Sequence, residues 1–528
     1  MTAGTPRTIV IGGGIAGLAS AALLAREGHD VTLLEAREEL GGRAGRWESG
    51  GFRFDTGPSW YLMPEVFDHF YRLLGTSAAT QLDLTRLDPG YRVYFESQAD
   101  PVDIAADRDE NVRTFERIER GAGAALDSYL DSAEETYRMA VQRFLYTSFA
   151  SFRPFLDRAV LGRLGRLARL LLQPLDRFAA GYFRDPRLRQ ILGFPAVFLG
   201  SSPGRTPSMY HLMSYLDLAD GVLHPQGGFT SVIDSITTLA RAEGVRVLTG
   251  SRVTAIRAEA GAGRGRAAAS AVTGVSYQGR DGTTVHLDAD LVVSAADLHH
   301  TETELVPAGQ RSYPERWWQR RVSGPGAVLV MLGICGELPE LLHHTLFFTR
   351  DWAENFGRIF GKNPSVPAPA SFYACMPSAT DGTVAPSGTT NLFLLVPIPA
   401  DPALGRGGIS GAGDDAIEAI ADAAIAQLAG WADIPDLAER IVVRRTVGPA
   451  DFAHDLNSWR GGALGPGHTL RQSAFLRGSN ASARITGLYY AGGTTIPGIG
   501  LPMCLISAEI LLKRIRSDTT TGPLPEPL

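Results

Sequence analysis

The sequence predicts an α/β protein: a Rossmann-like nucleotide-binding domain, discontinuous along the chain, with an α+β substrate domain and a helical subdomain inserted into it. Three observations predict this. The chain opens on strand, glycine turn, helix and strand in "RTIVIGGGIAGLASAALLAREGHDVTLLEA". A helix–strand alternation returns much later, in "GGFTSVIDSITTLARAEGVRVLTGSRVTAIRAE". Near the carboxyl end a glycine-rich run, "YAGGTTIPGIGLPM", stands directly before a helical stretch, Cys504 to Ile515.

A chain of 528 residues is too long for one core. Its 44% hydrophobic and 20% charged content is that of an ordinary globular protein. A net charge of -6 gives no general attraction to nucleic acid. The three cysteines, Cys335, Cys375 and Cys504, are odd in number and far apart, which argues against a disulfide framework or a zinc site and for a reducing compartment. The strand at Arg7–Ile11 leaves no room for a signal peptide before it. The longest apolar run, Ala327 to Ile334, is far short of the ~18 residues of a spanning helix, so membrane contact is expected from one side only.

In the opening unit, Gly12, Gly14 and Gly17 fit G-x-G-x-x-G. The first permits the tight turn, the second admits a pyrophosphate, and the third lets helix and strand pack closely. Ile15 and Ala16 start the helix, whose amino terminus favours phosphate. Glu35 ends the second strand, 18 residues beyond Gly17, where a carboxylate binds the hydroxyls of an adenosine ribose and repels a 2′-phosphate. These features leave NAD and FAD open. "LGGR" follows, its Gly41 and Gly42 offering close-approach backbone and its Arg43 a cation for the pyrophosphate. In "FRFDTGPSWYLMP", Asp55 reads as a cap on the turn at Thr56 and Gly57 rather than as an acid catalyst.

Taken in order, GGGIAGLASAALLAREGHDVTLLEA, LGGRAG, FRFDTGPSWYLMP, HPQGGF, LVVSAAD, LRQSAFLRGSN and YAGGTTIPGIGLPM cover nearly the whole chain. Their succession resembles the FAD-dependent amine-oxidase-like flavoproteins, and among them the bacterial-type phytoene desaturases of carotenoid synthesis. The resemblance implies FAD as cofactor. It adds Ala36, Gly57, Pro58, Ser59 and the backbone of Val253 to the cofactor contacts. It also implies that Gly492, Gly493, Gly500, Leu501, Pro502 and Met503 line the flavin. One departure is plain: many relatives read T-H-P-G where this chain has Thr495-Ile496-Pro497-Gly498.

The expected organisation is three cofactor-binding segments, 1–75, 224–300 and 484–516. A helical substrate- and membrane-binding insertion covers 76–223, a substrate domain 301–483, and a disordered tail 517–528. Residues 261–270 read as a loop between strands. Ser151–Gln190 carries nine arginines against three aspartates. On a helix, Arg158, Arg163, Arg166 and Arg169 span about 140° of arc, opposite Val160, Leu161, Leu164, Leu167 and Leu171, as in helices that lie in an anionic headgroup layer.

The resemblance implies removal of two hydrogens from adjacent carbons of a membrane-dissolved C40 substrate, phytoene, by hydride transfer to the flavin. Four such steps would yield lycopene, with oxygen or a quinone as terminal acceptor; self-association is left open. The protein would sit peripherally on the cytoplasmic side of the membrane. Family position offers Arg471, Gln472, Asp451, His454 and His211 as polar candidates for handling the proton. His299-His300 and His343-His344 lie in no recognised metal spacing, so no metal is assigned. Sister readings are a carotenoid isomerase, a later-stage desaturase, a retinol saturase or an amine oxidase. A non-enzymatic escort of prenylated GTPases is disfavoured by the intact "LGGR" and "GGTTIPGIGLP" segments with Glu35 in place.

Overall fold

Residues 4–149, 164–259 and 270–528 are described in the computed structural model. The first part of the basic segment, 151–163, and nearly all of the loop at 261–270 lie outside the described residues.

Strands Arg7–Ile11 and Asp30–Leu34 bury four of their five positions each, the pattern of strands covered on both faces. They sit inside a five-stranded sheet ordered Leu488–Tyr490, Leu291–Ser294, Arg7–Ile11, Asp30–Leu34, Arg246–Leu248. Every pairing is parallel, with Ile11 opposite both Ser294 and Leu34. Three distant stretches of chain therefore build one sheet. Helices Ile15–Arg26, Phe229–Ala242 and Leu501–Ile515 pack into the same core, through Leu18, Ala22, Ile233, Ile236, Leu505 and Ile510 among others.

A second sheet of seven strands is ordered Ile441–Val447, Gly326–Cys335, Thr389–Ile398, Phe372–Cys375, His344–Phe348, Tyr91–Phe95, Val102–Ile104. One face packs on helix Asp415–Trp431 through Ile417, Ala421, Ile425 and Leu428. The other presents Tyr91, Phe348, Tyr373 and Phe393 to the helices that carry Tyr129, Leu130, Ile191 and Leu192. This corrects the purely helical reading of 76–223. "YRVYF" is rich in β-branched and aromatic residues, and it pairs in parallel with His344–Phe348, so the first insertion supplies two strands of the seven-stranded sheet.

The tail is a second correction. Leu524 is buried, and its N–H donates to Glu509. Lys513 donates to the carbonyls of Thr520 and Gly522, Leu528 N–H donates to Leu73 O, and Glu526 bonds His69. A polar composition suggested disorder, yet one leucine and a set of main-chain acceptors suffice to dock the tail.

The basic segment is partly redrawn. Helix Leu164–Leu172 buries Leu170, whereas Leu171 and Leu172 are 38% and 72% exposed. Arg166 donates to Ser132 Oγ at 3.1 Å and pairs with Glu135, so it ties the helix to its own domain instead of joining an outward basic stripe. Among the described residues no helix is long and apolar enough to cross a membrane.

Candidate cofactor and active site

The amino-terminal glycines form a cradle held by backbone bonds. Gly12 has φ +100° and donates to Leu34 O at 2.8 Å. A Cβ on Gly17 would lie 1.9 Å from Gly12 O, so this position admits glycine alone. Gly41 N–H donates to Gly13 O at 2.9 Å, which sets "LGGR" beside the turn. No side chain caps helix Ile15–Arg26, so its first amides, on Ile15, Ala16 and Gly17, stay available to an anionic acceptor. The Glu35 carboxylate accepts from Gly13 N–H at 2.6 Å and Arg37 N–H at 2.8 Å, which fixes it at the strand's end beside Ala36. Glu35 O accepts from Ser251, bringing the Val253 strand alongside.

The turn at Gly57, Pro58 and Ser59 presses on the same cradle, since a Cβ on Gly57 would lie 2.2 Å from Arg43 O. Arg43 differs from expectation. Its Nε donates to Ala463 O and its Nη2 to Ser458 Oγ, both at 2.9 Å, so it latches the cradle to a turn of the second insertion. Asp55 also differs: its carboxylate accepts from Phe229 N–H at 2.8 Å and Thr230 Oγ1 at 3.2 Å, capping helix Phe229–Ala242 rather than its own turn. Burial pushes its pKa up to about 6, against those bonds.

The carboxyl-terminal run faces this cradle. Gly492, Gly498 and Gly500 take φ of +112°, +146° and +120°, which favours glycine. Helix Leu501–Ile515 starts at Gly500 with Leu501, Pro502 and Met503 and no side-chain cap. The run is wired by residues the sequence reading passed over. Buried Arg477 donates to Thr495 O at 3.0 Å and Gly493 O at 2.6 Å. Asn480 donates to Ile496 O and Ser507 Oγ, and Ser507 Oγ accepts from Gly492 N–H. His468 accepts from Ile499 N–H at 3.2 Å and fills the space beside Gly498. Arg477 and Asn480 stand in the "LRQSAFLRGSN" motif, which was the available signal.

These surroundings fit FAD. A Cβ on Gly14 or Gly493 would find no atom of the described protein nearer than 3.8 and 3.7 Å, and neither has a positive φ. Neither packing within the protein nor backbone conformation therefore demands glycine at those two positions, whereas a flat ligand lying against the backbone does.

The five catalytic candidates are not gathered there. Gln472 is buried and satisfied by Val322 N–H, Val322 O and Gly467 O. Asp451 caps Gly407 and Gly448 N–H. His454 and Arg471 lie at the surface, the histidine bonded to Asp455. His211 is buried between Ser208 O and Ser132 Oγ, and burial pulls its pKa down to about 4. The structure thus gives Gln472, Asp451 and His211 scaffold bonds and leaves Arg471 and His454 outward.

Instead, Trp60 of the "GPSW" turn leads to an aromatic wall. Its indole stacks on His344 at 4.4 Å and 8°, with Tyr91, Phe194 and Phe198 within 5.8 Å. Ser59 Oγ and His344 Nδ1 both bond Tyr373 OH at 2.7 Å. His343, His344 and Cys375 are buried together, each with a ligand-type atom within 4.8 Å of the others. Their proximity is a product of strand pairing, His344 opposite Cys375. No spacing in the sequence revealed it.

A family profile described as flavin containing amine oxidoreductase matches residues 15–510. The chain belongs to this family. It is an FAD-dependent oxidoreductase and groups with the carotenoid desaturases. It is 40% identical over 509 residues to a carotenoid 3,4-desaturase of Haloarcula japonica, covering 96% of this chain and 98% of that one. A zeta-carotene-forming phytoene desaturase of Myxococcus xanthus is 34% identical over 512 residues, covering 96% and 93%. Among solved structures, putrescine oxidase bound to putrescine superimposes with a TM-score of 0.58 at 14% identity, covering 97% and 99%. At that identity the likeness concerns the fold.

Proposed function

We propose that the protein is a carotenoid desaturase that removes two hydrogens from adjacent carbons of a membrane-dissolved polyene. The observation that carries this is the aromatic wall around Trp60, beside a complete dinucleotide cradle, in a chain 40% identical over nearly its whole length to a carotenoid 3,4-desaturase. An apolar, aromatic wall suits a hydrocarbon that offers nothing to a dense acid–base cluster. When bound, FAD supplies the acceptor for the electron pair and one hydrogen. The chain's part is to hold one C–C bond against that acceptor, exclude water and take the second hydrogen as a proton.

The 40% relative favours a substrate already conjugated and desaturated near its end. The second reading is the one the sequence motifs suggested: phytoene, carried through four steps to lycopene, with the 34% phytoene desaturase in its support. Peripheral membrane contact through the exposed leucines of helix Leu164–Leu172 belongs to the same proposal, since either substrate resides in a bilayer. FAD-loaded protein given phytoene or lycopene in liposomes separates the readings. A longer chromophore grown from lycopene supports the first, and coloured product from phytoene the second. Absence of turnover on both refutes the proposal.

A further inference from the structure

The second hydrogen of a desaturation leaves as a proton, and an apolar wall offers it no water. The chain nonetheless carries one file of polar groups from that wall to the surface. It begins at Ser59, in the turn that presses on the cofactor cradle, and its Oγ bonds Tyr373 OH at 2.7 Å. Tyr373 OH bonds His344 Nδ1 at 2.7 Å. The His344 and His343 rings lie edge to face with centroids 4.5 Å apart. His343 Nδ1 bonds Thr380 Oγ1 at 2.6 Å. Thr380 is exposed, whereas Tyr373, His343 and His344 are 8%, 4% and 0% exposed.

Within this file, two buried atoms have no hydrogen-bond partner among the described residues: Nε2 of His343 and Nε2 of His344. A buried ring nitrogen with no partner costs free energy, so its retention calls for a reason. The orientations supply one. Let Ser59 donate to Tyr373, Tyr373 to His344 Nδ1, and His343 Nδ1–H to Thr380. His344 is then left with a donor on Nε2, and His343 with an acceptor on Nε2. The two orphaned atoms are complementary, and the rings that carry them have centroids 4.5 Å apart. A ring rotation, or one water, would join them.

We propose that Ser59, Tyr373, His344, His343 and Thr380 form a proton conduit from the active-site wall to solvent. The inference rests on the desaturase reading for the origin of the proton. At the substrate, one C–H bond yields its electron pair and hydrogen to the bound cofactor. The neighbouring C–H bond loses its proton to the conduit, and its electron pair becomes the new C=C bond. Along the file each hop forms one O–H or N–H bond and breaks the next, so one proton enters at Ser59 and one leaves at Thr380. Burial holds both histidines well below, and Tyr373 well above, their ordinary pKa values, so every member stays neutral and passes the proton without storing it. The other titratable groups facing this file are His224, whose ring lies tilted against His343 with centroids 4.4 Å apart, the thiol of Cys375, and the carboxyls of Asp55 and Asp381.

The test uses FAD-loaded protein with ¹⁵N-labelled histidine and two variants, Thr380→Val and Tyr373→Phe. Solvent deuterium should reach the His343 and His344 ring N–H groups in the native protein. It should do so at least ~10-fold more slowly in Thr380→Val, and Thr380→Ser should restore the rate. In single turnover with a carotene that the native enzyme converts, Tyr373→Phe should slow product formation and proton release to a pH indicator together, at least ~10-fold, at unchanged flavin content. Exchange in Thr380→Val at the native rate overturns the conduit. So does native turnover in Tyr373→Phe, or a zinc-class metal ion found on His343, His344 and Cys375. If no carotene is converted, the desaturase reading fails, and the exchange measurement alone still decides whether the file conducts.

Discussion

Replacing Asp217 by asparagine should stabilise the protein, and by an amount that grows with pH. Asp217 is 3% exposed; its Oδ2 accepts from Tyr91 OH at 3.0 Å, and its Oδ1 has no partner among the described residues. Burial raises its pKa from 3.8 to about 8, against the bonds from Tyr91 and from backbone N–H groups. For an acid raised by folding, the contribution to stability is fully present below the unfolded pKa. It is lost as pH rises through the folded one. Each pH unit inside that window costs about 1.4 kcal/mol. Both pH 5 and pH 7 lie inside it, so the native protein loses about 2.7 kcal/mol between them through this residue. Asparagine keeps the shape and the acceptor for Tyr91 but does not titrate. Urea midpoints of Asp217→Asn and native protein, measured side by side, should therefore diverge by about 2.7 kcal/mol from pH 5 to pH 7, the variant gaining. A difference that stays constant across that range would refute the reasoning, since it would mean that the carboxyl is solvated and ionised in the fold.

Three other outcomes follow from the same geometry. Gly17→Ala places a Cβ 1.9 Å from Gly12 O and must push the helix away from the phosphates; overpacking of about 1–3 kcal/mol should cut bound flavin at least ~5-fold, read as the flavin-to-protein absorbance ratio. Burial opposes charge on His69, but Glu509 and Glu526 outweigh it and raise its pKa, so its hold on the tail is complete below the ordinary histidine value and weakens as pH rises through the raised one. Limited proteolysis of the tail should accelerate over that rise, and His69→Ala should remove the pH dependence. Leu172→Asp should weaken flotation with anionic liposomes at least ~10-fold, the effect of withdrawing one leucine from an apolar layer, while flavin content is kept.

What was legible in the sequence is what the backbone itself must do. Gly12, Gly14, Gly17 and Glu35 announce a cradle, because a tight turn, a close approach and a ribose carboxylate need those residue types at those spacings. The glycine-rich run before Leu501 was legible for the same reason. Arg43 and Asp55 were found but their protein partners were not, because a charged side chain is drawn to whichever acceptor or donor the fold brings near. For Arg43 these are Ser458 and Ala463; for Asp55, the start of a helix at Phe229.

The sequence by itself determined the nucleotide-binding unit and the family, since both reside in short-range patterns of glycine, β-branched and helical residues. Only the tertiary structure decided that "YRVYF" joins the seven-stranded sheet, that the tail is docked, and that His344, Tyr373 and Ser59 are the polar groups beside Trp60. The physical reason is the range of the interactions. A turn or a helix start is fixed by neighbours a few residues away. The proposed proton path needs Ser59, Tyr373, His344, His343 and Thr380 side by side; pairing between two strands sets His344 near Tyr373, and side-chain bonds from turns outside the sheet add Ser59 and Thr380.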